Sequence, residues 1–308
     1  MKEKDPIRES LTKKSVSAKR ETRGKIISFS FTAVIVLLVV TIIGFIASRG
    51  LIIFFKDGVN PIDFLTHSVW APNKLDSAGH PIVGAAPMIV GSFAVTLIAA
   101  LIGTPFAIAA ALFMTEISPK WGRKILQPVI ELLVGIPSVV YGFIGLTIVV
   151  PFVRKIAGGS GFGILAGSFV LFVMILPTIT SMSVDALKAV PRYYREASLA
   201  LGATRWQTIS KVVLRAATPG LLTAVVFGMA RAFGEALAVQ MVIGNAMLLP
   251  QNLVSPSSTL TSVLTMNMGN TIMGSTPNNA LWSLALLLLL MSLLFNFVIR
   301  SIAKRGEF

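Results

Sequence analysis

The sequence contains no cysteine and only two histidines among 308 residues. The absence of cysteine excludes disulfides, thiolate zinc sites and cysteine nucleophiles. His67 and His80 lie in one polar stretch without a nearby carboxylate cluster, so we interpret them as solvated loop residues, with a metal site as the remote alternative. No stretch fits G-x-x-x-x-G-K-[ST], so the chain offers no phosphate-binding loop for a nucleotide.

Charged residues are also scarce, at 13% of the chain, whereas 54% of the residues are hydrophobic. A soluble domain carries about 25% charged residues, and the mean hydropathy here is +0.80. The net charge of +14 does not indicate a nucleic-acid-binding protein, because the basic residues flank apolar segments and form no face interleaved with aromatic residues. The composition therefore predicts a membrane protein.

Six apolar segments are long enough to cross about 30 Å of hydrocarbon. They cover residues 26–47, 88–114, 125–152, 163–184, 217–245 and 281–299. The first has an apolar run longer than that of a cleavable signal peptide, so we interpret it as an anchored helix. The pattern predicts an all-α membrane protein with six transmembrane helices.

Lysine and arginine are concentrated in alternate connections between these segments. They number nine in 1–25, three in 115–124, six in 185–216 and three in 300–308, against three in 48–87, two in 153–162 and none in 246–280. Cytoplasmic loops of membrane proteins carry the excess of positive charge. We therefore expect a multi-pass membrane protein with both termini in the cytoplasm, and we interpret 1–25 as a disordered basic tail.

Helix-breaking residues interrupt three of the apolar segments, at Gly103-Thr104-Pro105, at Gly135-Ile136-Pro137 and at Pro177. Such breaks are tolerated in a membrane where neighbouring helices or water satisfy the freed backbone groups. Glycine and proline are also common in membrane helices in general. Three breaks in one small bundle nevertheless favour a cavity or moving parts over a static anchor.

The connection 185–216 is longer than a tight turn requires, and its residues predict two short helices. Pro191 can open the first helix, and Gly202 can end it in a left-handed conformation. Thr204 and Gln207 fit a capping box, from which a second helix continues into the fifth segment. Local physics leaves two alternatives open, an interfacial helix that rests on lipid headgroups and a docking element for a partner.

The same connection carries the sequence Glu196-Ala197-Ser198, followed after three residues by Gly202, and it resembles the EAA loop of ABC importer permeases. The resemblance implies the type I (MetI-like) permease fold and a coupling helix that inserts into a groove of a separate ATPase subunit. Glu196, Ala197 and Gly202 would then be the coupling residues, with Tyr193, Tyr194 and Trp206 as further candidate contacts. Two departures from the family pattern are Ser198, which replaces an alanine, and Arg215, which stands near a usual proline.

Longer stretches resemble one branch of that family, the PstC subunits of bacterial phosphate importers. They are residues 87–113, 131–146, 175–214 and 228–245. The resemblance implies a permease domain over 26–308, with its core at 87–304 and its coupling loop at 185–216. It also implies a subunit without catalytic residues or cofactors, whose partners are a PstA-like second permease, two PstB-like ATPase subunits and an external PstS-like phosphate-binding protein.

The stretch GMARAFGEALAV places Arg231 and Glu235 four residues apart inside the fifth apolar segment. Each charge at the centre of a membrane helix costs about 2.5–3.5 kcal/mol, and a spacing of four would put both on one helix face. We expect Arg231 to face a water-filled path and bind an anion, while Glu235 orients the guanidinium. The alternative is a pair that only holds helices together. In the resembled family, the matching residues are regarded as part of the transport path.

Ser138 and Tyr141, next to the second break, are softer candidates for lining the same path. Glu131 is expected to be a hydrogen-bonded carboxylate, either at the membrane interface or facing the bundle. The uncharged segment 246–280 is expected on the outer side of the membrane, and it either re-enters the bilayer or forms a lid beneath a binding protein. Three other functions remain open from the residues alone: the PstA-type sister permease or a permease for another oxyanion, a secondary anion carrier, and a membrane scaffold.

Overall fold

The computed structural model describes residues 16–304, with side chains described for residues 20–298 and for residue 301. The first 15 residues of the predicted tail 1–25 lie outside this range, and residues 16–25 are helical. The chain divides between Arg49 and Gly50 into two units.

The secondary structure is almost entirely helical. Helix α1 (Val16–Gly50) makes up the described part of the first unit and ends at the first residue of the second. The second unit contains, in chain order, α2 (Ile52–Phe55), α3 (Pro61–Thr66), β1 (Trp70–Leu75), β2 (Pro81–Val83), α4 (Ala86–Leu112), α5 (Pro119–Trp121), α6 (Gln127–Gly135), α7 (Ser138–Ile144), α8 (Val150–Ala157), α9 (Ile164–Ala189), α10 (Arg192–Ala200), α11 (Arg205–Gln207), α12 (Leu214–Phe233), α13 (Leu237–Gln240), α14 (Leu260–Asn267) and α15 (Thr276–Lys304). Wide π-helical turns at 113–117, 122–126, 145–149 and 208–213 and a 3₁₀ turn at 268–270 join neighbouring helices.

Within the described range, six helical segments are long and apolar enough to cross a membrane. They are Arg20–Phe55, Ala86–Ile117, Ser138–Ala157, Ile164–Ala189, Arg205–Phe233 and Thr276–Val298. The predicted number of spans is therefore confirmed. Two short antiparallel strands, β1 and β2, form a hairpin in the predicted loop after the first span and are an exception to the all-helical expectation.

The third span differs from the predicted segment 125–152. Helix α6 ends at Gly135, Ile136 and Pro137 are extended, and the membrane-spanning helix starts only at Ser138. The predicted break at this position is confirmed. The other two breakers do not end their helices, because α4 and α9 continue through Pro105 and Pro177.

The fifth span also differs from the predicted segment 217–245. It begins at Arg205, continues through the wide turn 208–213 and ends at Phe233. Most of the predicted loop 185–216 is consequently helix, and only residues 190–204 connect the fourth span to the fifth. The capping box at Thr204 explains this early start, because it satisfies backbone N–H groups at the first turn.

Helix α9 lies at the centre of the second unit and packs along α4 and α12. Small residues allow the close approach, as is usual where no hydrophobic effect drives membrane helices together. A Cβ atom on Gly228 of α12 would lie 2.5 Å from Ile179 Cγ1 of α9. One on Gly220 would lie 2.7 Å from the Cβ of Ala186.

The connections predicted on one side of the membrane meet at one end of this unit. Glu116, after α4, forms an ion pair of 2.6 Å with Arg195 of α10. At the other end, the Asn279 side chain of α15 donates to the Asp57 carboxylate over 3.2 Å, and the Gly163 N–H donates to the Val242 carbonyl. The connections therefore alternate between the two ends of the unit, as six successive spans require.

Candidate functional site

Arg231 lies near the C-terminal end of α12, sixteen residues beyond Arg215 and thus about 24 Å along the helix at 1.5 Å per residue. Its Nη1 donates a hydrogen bond to the hydroxyl of Thr178 on α9. Thr178 is buried, whereas Arg231 is exposed on the surface of this single chain. The guanidinium is therefore held from one side and open on the other.

Tyr141 lies on α7, at the start of the third span. The side chain is buried, and its hydroxyl donates to the carbonyl of Leu133 across the break between α6 and α7 over 2.9 Å. This hydrogen bond satisfies one of the acceptors that the break frees. Ser138, at the start of α7, is half-buried, and Glu131 is exposed and accepts from the Gln127 amide over 2.8 Å.

Glu235 does not form the expected pair with Arg231. The α12 helix ends at Phe233, so the helical spacing that would align the two side chains is lost. The ion pairs found among the described residues do not include these two. The Glu235 carboxylate instead accepts from the N–H of Ala238 over 3.3 Å, at the start of α13.

Glu235 also lines a small cavity of about 10 Å³, which has room for roughly one water molecule. Hydroxyl groups surround it, contributed by Ser92 and Thr96 of α4 and by Thr259 and Thr261 near the start of α14. The Thr261 hydroxyl donates to the carbonyl of Glu235 over 2.8 Å. Nowhere in the described part of the chain do three or more histidine, aspartate or glutamate residues form a group that could hold a metal ion.

The uncharged segment 246–280 folds back against the bundle at the level of Glu235. Its residues Ser257 to Ser262 are buried, and the Ser92 hydroxyl accepts from the N–H of Leu260 over 2.9 Å. Gly91 permits this approach, because a Cβ there would lie 2.0 Å from the carbonyl oxygen of Ser258. The sequence left the position of this segment open and did not predict its contact with Glu235.

The predicted coupling helix is present as α10, followed by Gly202 and α11. Gly202 has φ +80, the left-handed conformation expected of a helix stop. The Thr204 hydroxyl and the Gln207 side chain form the predicted capping box. Pro191 precedes the helix rather than opening it, since α10 begins at Arg192.

The solvent-facing side of α10, α11 and the turn between them is partly apolar. Glu196, Ala197 and Gly202 all lie on the surface. Leu201 is 89% exposed, Tyr193 61% and Trp206 64%. Large apolar side chains that stand this far out of a connection between helices are typical of a surface that a partner covers.

Glu116 holds the coupling helix to the membrane-spanning helices, a role that sequence reasoning missed. Its carboxylate accepts from both Nε and Nη2 of Arg195, which also donates to the carbonyls of Val190 and Leu187. Arg205 donates to the backbone carbonyls of Glu116 and Ile117. Glu116 and Ile117 are 79 or more positions away from Arg195 and Arg205 in sequence, so no local signal could have identified these contacts.

Comparison with protein families matches residues 103–306 to the model described as the binding-protein-dependent transport system inner membrane component. Among similar curated proteins, the probable ABC transporter permease protein YqgH of Bacillus subtilis is 55% identical over 93% of this chain and 92% of its own length. The phosphate transport system permease protein PstC of Pasteurella multocida is 33% identical over 79% of this chain and 80% of its own length.

The fold is similar to that of solved ABC transporters. A chain of the MetNI methionine transporter in an inward-facing conformation aligns with a TM-score of 0.55 at 24% identity, covering 71% of this chain and 94% of that one. An amino acid ABC transporter aligns with a TM-score of 0.51 at 17% identity. The MetI-like fold expected from the sequence is thereby confirmed, whereas identities this low carry no information about substrate.

Proposed function

The chain belongs to the family of binding-protein-dependent transport system inner-membrane components, and on this premise we propose that it conducts phosphate through the membrane together with a second permease subunit. As a permease of an ABC importer, it is a multi-pass inner-membrane transport subunit and not itself an enzyme. A separate ATPase and a substrate-binding protein complete such importers.

The position of Arg231 carries the proposal for the transport path. Its guanidinium is exposed on α12, inside a membrane-spanning segment. A cation left facing hydrocarbon costs about 2.5–3.5 kcal/mol or more, so this face must meet water or protein in the assembled transporter. A second permease subunit that covers the face would enclose Arg231 between the two chains, where a translocation path runs.

The chemistry of the site suits an oxyanion. Guanidinium is planar, stays charged and donates two parallel hydrogen bonds to phosphate oxygens. Thr178 engages Nη1 and leaves other donors available. Because Glu235 is turned towards the hydroxyl cluster, we propose that it shapes the path beside Arg231 and does not neutralise the guanidinium. Phosphate is favoured over sulfate by the PstC relatives, which are 31–34% identical.

The remaining predicted site residues receive roles within the same proposal. Tyr141 and Ser138 line the path at the start of the third span, just after the break at Gly135–Pro137. Tyr141 holds the two sides of that break together, because its hydroxyl donates to the Leu133 carbonyl. The exposed face of α10 with Glu196 and Ala197 docks into the PstB-like ATPase. The PstA-like permease and the PstS-like binding protein complete the assembly, with both termini of this chain in the cytoplasm.

The test is ATP-driven phosphate uptake in proteoliposomes by a transporter assembled from this chain, the second permease, the ATPase and the binding protein. We expect Arg231→Gln to lower uptake by at least about tenfold, because a hydrogen bond to a charged group contributes about 1.5–3 kcal/mol. Arg231→Lys keeps the charge without the planar fork and should give an intermediate rate. Competition by unlabelled phosphate and by unlabelled sulfate identifies the anion.

The matched control is Arg215→Gln, which removes an exposed arginine from the same helix at its opposite end. Copurification of the second permease is measured for every variant. Normal uptake by Arg231→Gln would contradict the proposal. Loss of the second permease from the complex would instead support the purely structural alternative, in which the charges hold helices together.

A further inference from the structure

A cavity of about 700 Å³ lies at the coupling end of the bundle, between α10 and the ends of the membrane-spanning helices. This volume is in the range of pockets that hold small molecules. Its walls come from the segments after α4 and α5, from the end of α9, from α10 and from the start of the fifth span. It is separate from Arg231, which lies towards the other end of α12.

Positive charge dominates the lining of this cavity. Glu116 is the acidic residue among the lining side chains. Five basic residues contribute to the lining: Arg123, Lys188, Arg192, Arg195 and Arg205. Two other acidic residues at this end of the chain, Asp185 and Glu196, do not line it. A general excess of basic residues on one membrane side does not by itself make them converge on one space.

Two of the five basic residues are already bonded to other parts of the chain. Arg195 is paired with Glu116 and donates to two backbone carbonyls. Arg205 donates to the carbonyls of Glu116 and Ile117. These two side chains fix the cavity wall and have few donors left for a ligand.

The other three, Arg123, Lys188 and Arg192, have no hydrogen bond or ion pair to any described residue. They come from three different elements: the turn after α5, the last turn of α9 and the first turn of α10. Three like charges around one space repel each other, and an anion between them relieves that repulsion. All three side chains are exposed to solvent at this cavity, where an anion can reach them.

We propose that this cavity binds a phosphate group, supplied either by inorganic phosphate or by the headgroup of an anionic phospholipid. Two guanidinium groups and one ammonium group provide the forked and point-charge donors that phosphate oxygens accept. Arg192, Arg195 and Leu199 lie on the cavity side of α10, whereas the docking residues Glu196 and Ala197 do not line it. Both surfaces of the coupling helix can thus be occupied together.

A bound phosphate would link α9, α10 and the turn after α5. It would stabilise the arrangement of the coupling helix described here against any arrangement that separates these elements. This consequence rests on the proposed function, because it assumes that the ATPase moves α10. The binding itself does not depend on transport.

The experiment measures how much phosphate raises the thermal unfolding temperature of the purified transporter complex, which contains this full-length chain, in lipid nanodiscs. In phosphatidylcholine discs, inorganic phosphate is titrated against chloride at equal ionic strength. A second arm compares phosphatidylcholine discs with discs that contain phosphatidylglycerol. Stabilisation by phosphate in the first arm identifies the free anion, and stabilisation only in the second identifies the lipid headgroup.

The cavity variant carries Arg123→Gln, Lys188→Gln and Arg192→Gln. Its matched control carries Lys120→Gln, Lys124→Gln and Lys211→Gln, which remove the same charge from the same end of the bundle but from residues outside the lining. We expect the apparent affinity to fall at least about tenfold in the cavity variant and to stay unchanged in the control. Phosphate bound elsewhere, including at Arg231, affects both variants equally.

Equal stabilisation of the cavity variant and the control would overturn the proposal. So would loss of ATPase capture by the cavity variant with stabilisation intact, because the cations would then bind an acidic protein surface. Arg123→Gln alone serves if the triple variant does not fold, since this side chain makes no bond in the described structure. If phosphate stabilises the unmodified complex as expected but that complex does not transport phosphate, the result counts against the proposed function only.

Discussion

At the scale of single residues, the neighbours of Arg231 matter more than its charge alone. An arginine side chain on a helix surface has many rotamers, and fixing one costs up to about 2 kcal/mol of entropy. Thr178 restricts that freedom by accepting from Nη1. Because Thr178 belongs to α9 and Arg231 to α12, the packing of these two helices positions the guanidinium before any anion arrives.

Thr178→Val tests this positioning, because valine keeps the shape of threonine and removes its hydroxyl. We expect phosphate uptake to fall by roughly tenfold, since a hydrogen bond to a charged group contributes about 1.5 kcal/mol or more. Thr180→Val is the control, because the Thr180 hydroxyl is also buried but donates only to the Leu176 carbonyl of its own helix. Equal uptake by the two variants would argue against a role for Thr178.

At the scale of elements, the coupling helix is a short rigid unit bounded by a break at each end. Its first end follows Pro191, and its second end turns at Gly202 in the left-handed conformation. Arg195 and Glu116 then attach it to the end of the second span. This ion pair is mostly shielded from water, so it ties α10 to the membrane-spanning helices more firmly than an exposed pair would.

Gly202→Ala tests whether the shape of this element is needed. A side chain at φ +80 costs about 1–2 kcal/mol, although there is free space around this Cβ position. We expect ATPase capture by the permease complex to weaken by about tenfold, measured by copurification at several ATPase concentrations. The control is Gly269→Ala, which also has free space but no positive φ.

Normal ATPase capture and uptake by Gly202→Ala, with membrane insertion verified, would contradict the assignment of α10 as the coupling helix. Weakening by both variants would also contradict it, because the effect would then not depend on the left-handed turn.

At the scale of the whole molecule, the absence of cysteine offers a direct test of orientation. The hairpin at 70–83 and the short helix α5 (Pro119–Trp121) belong to opposite ends of the second unit by the order of the spans. Lys74 and Lys120 are exposed on these two connections. A cysteine at either position would be the single thiol in the chain.

We expect Lys74→Cys to react with a membrane-impermeant maleimide in intact cells, because positive-inside bias places the hairpin outside. Lys120→Cys should react only after permeabilisation. The unmodified chain, which has no thiol, measures background labelling. Labelling of Lys120→Cys in intact cells would reverse the proposed orientation and would place the coupling helix away from any cytoplasmic ATPase.

The sequence alone determined features that depend on local chemistry or on solvent. Long apolar runs fixed the number of spans, because only helices of that length satisfy their backbone in lipid. Gly202 and the capping box at Thr204 determined where the coupling helix stops and the next begins. The break at Gly135–Pro137 followed from backbone geometry in the same way.

Only the tertiary structure decided which distant groups meet. Spacing alone suggested that Arg231 and Glu235 share a helix face, but the helix ends between them. Arg231 donates to Thr178 on α9, whereas the Glu235 carboxylate accepts from the N–H of Ala238 at the start of α13. The pairing of Glu116 with Arg195 and the return of residues 257–262 to the bundle were equally absent from local pattern. Long-range packing and hydrogen bonding determine these contacts, because in a low-dielectric interior a polar group must find a partner wherever the fold provides one.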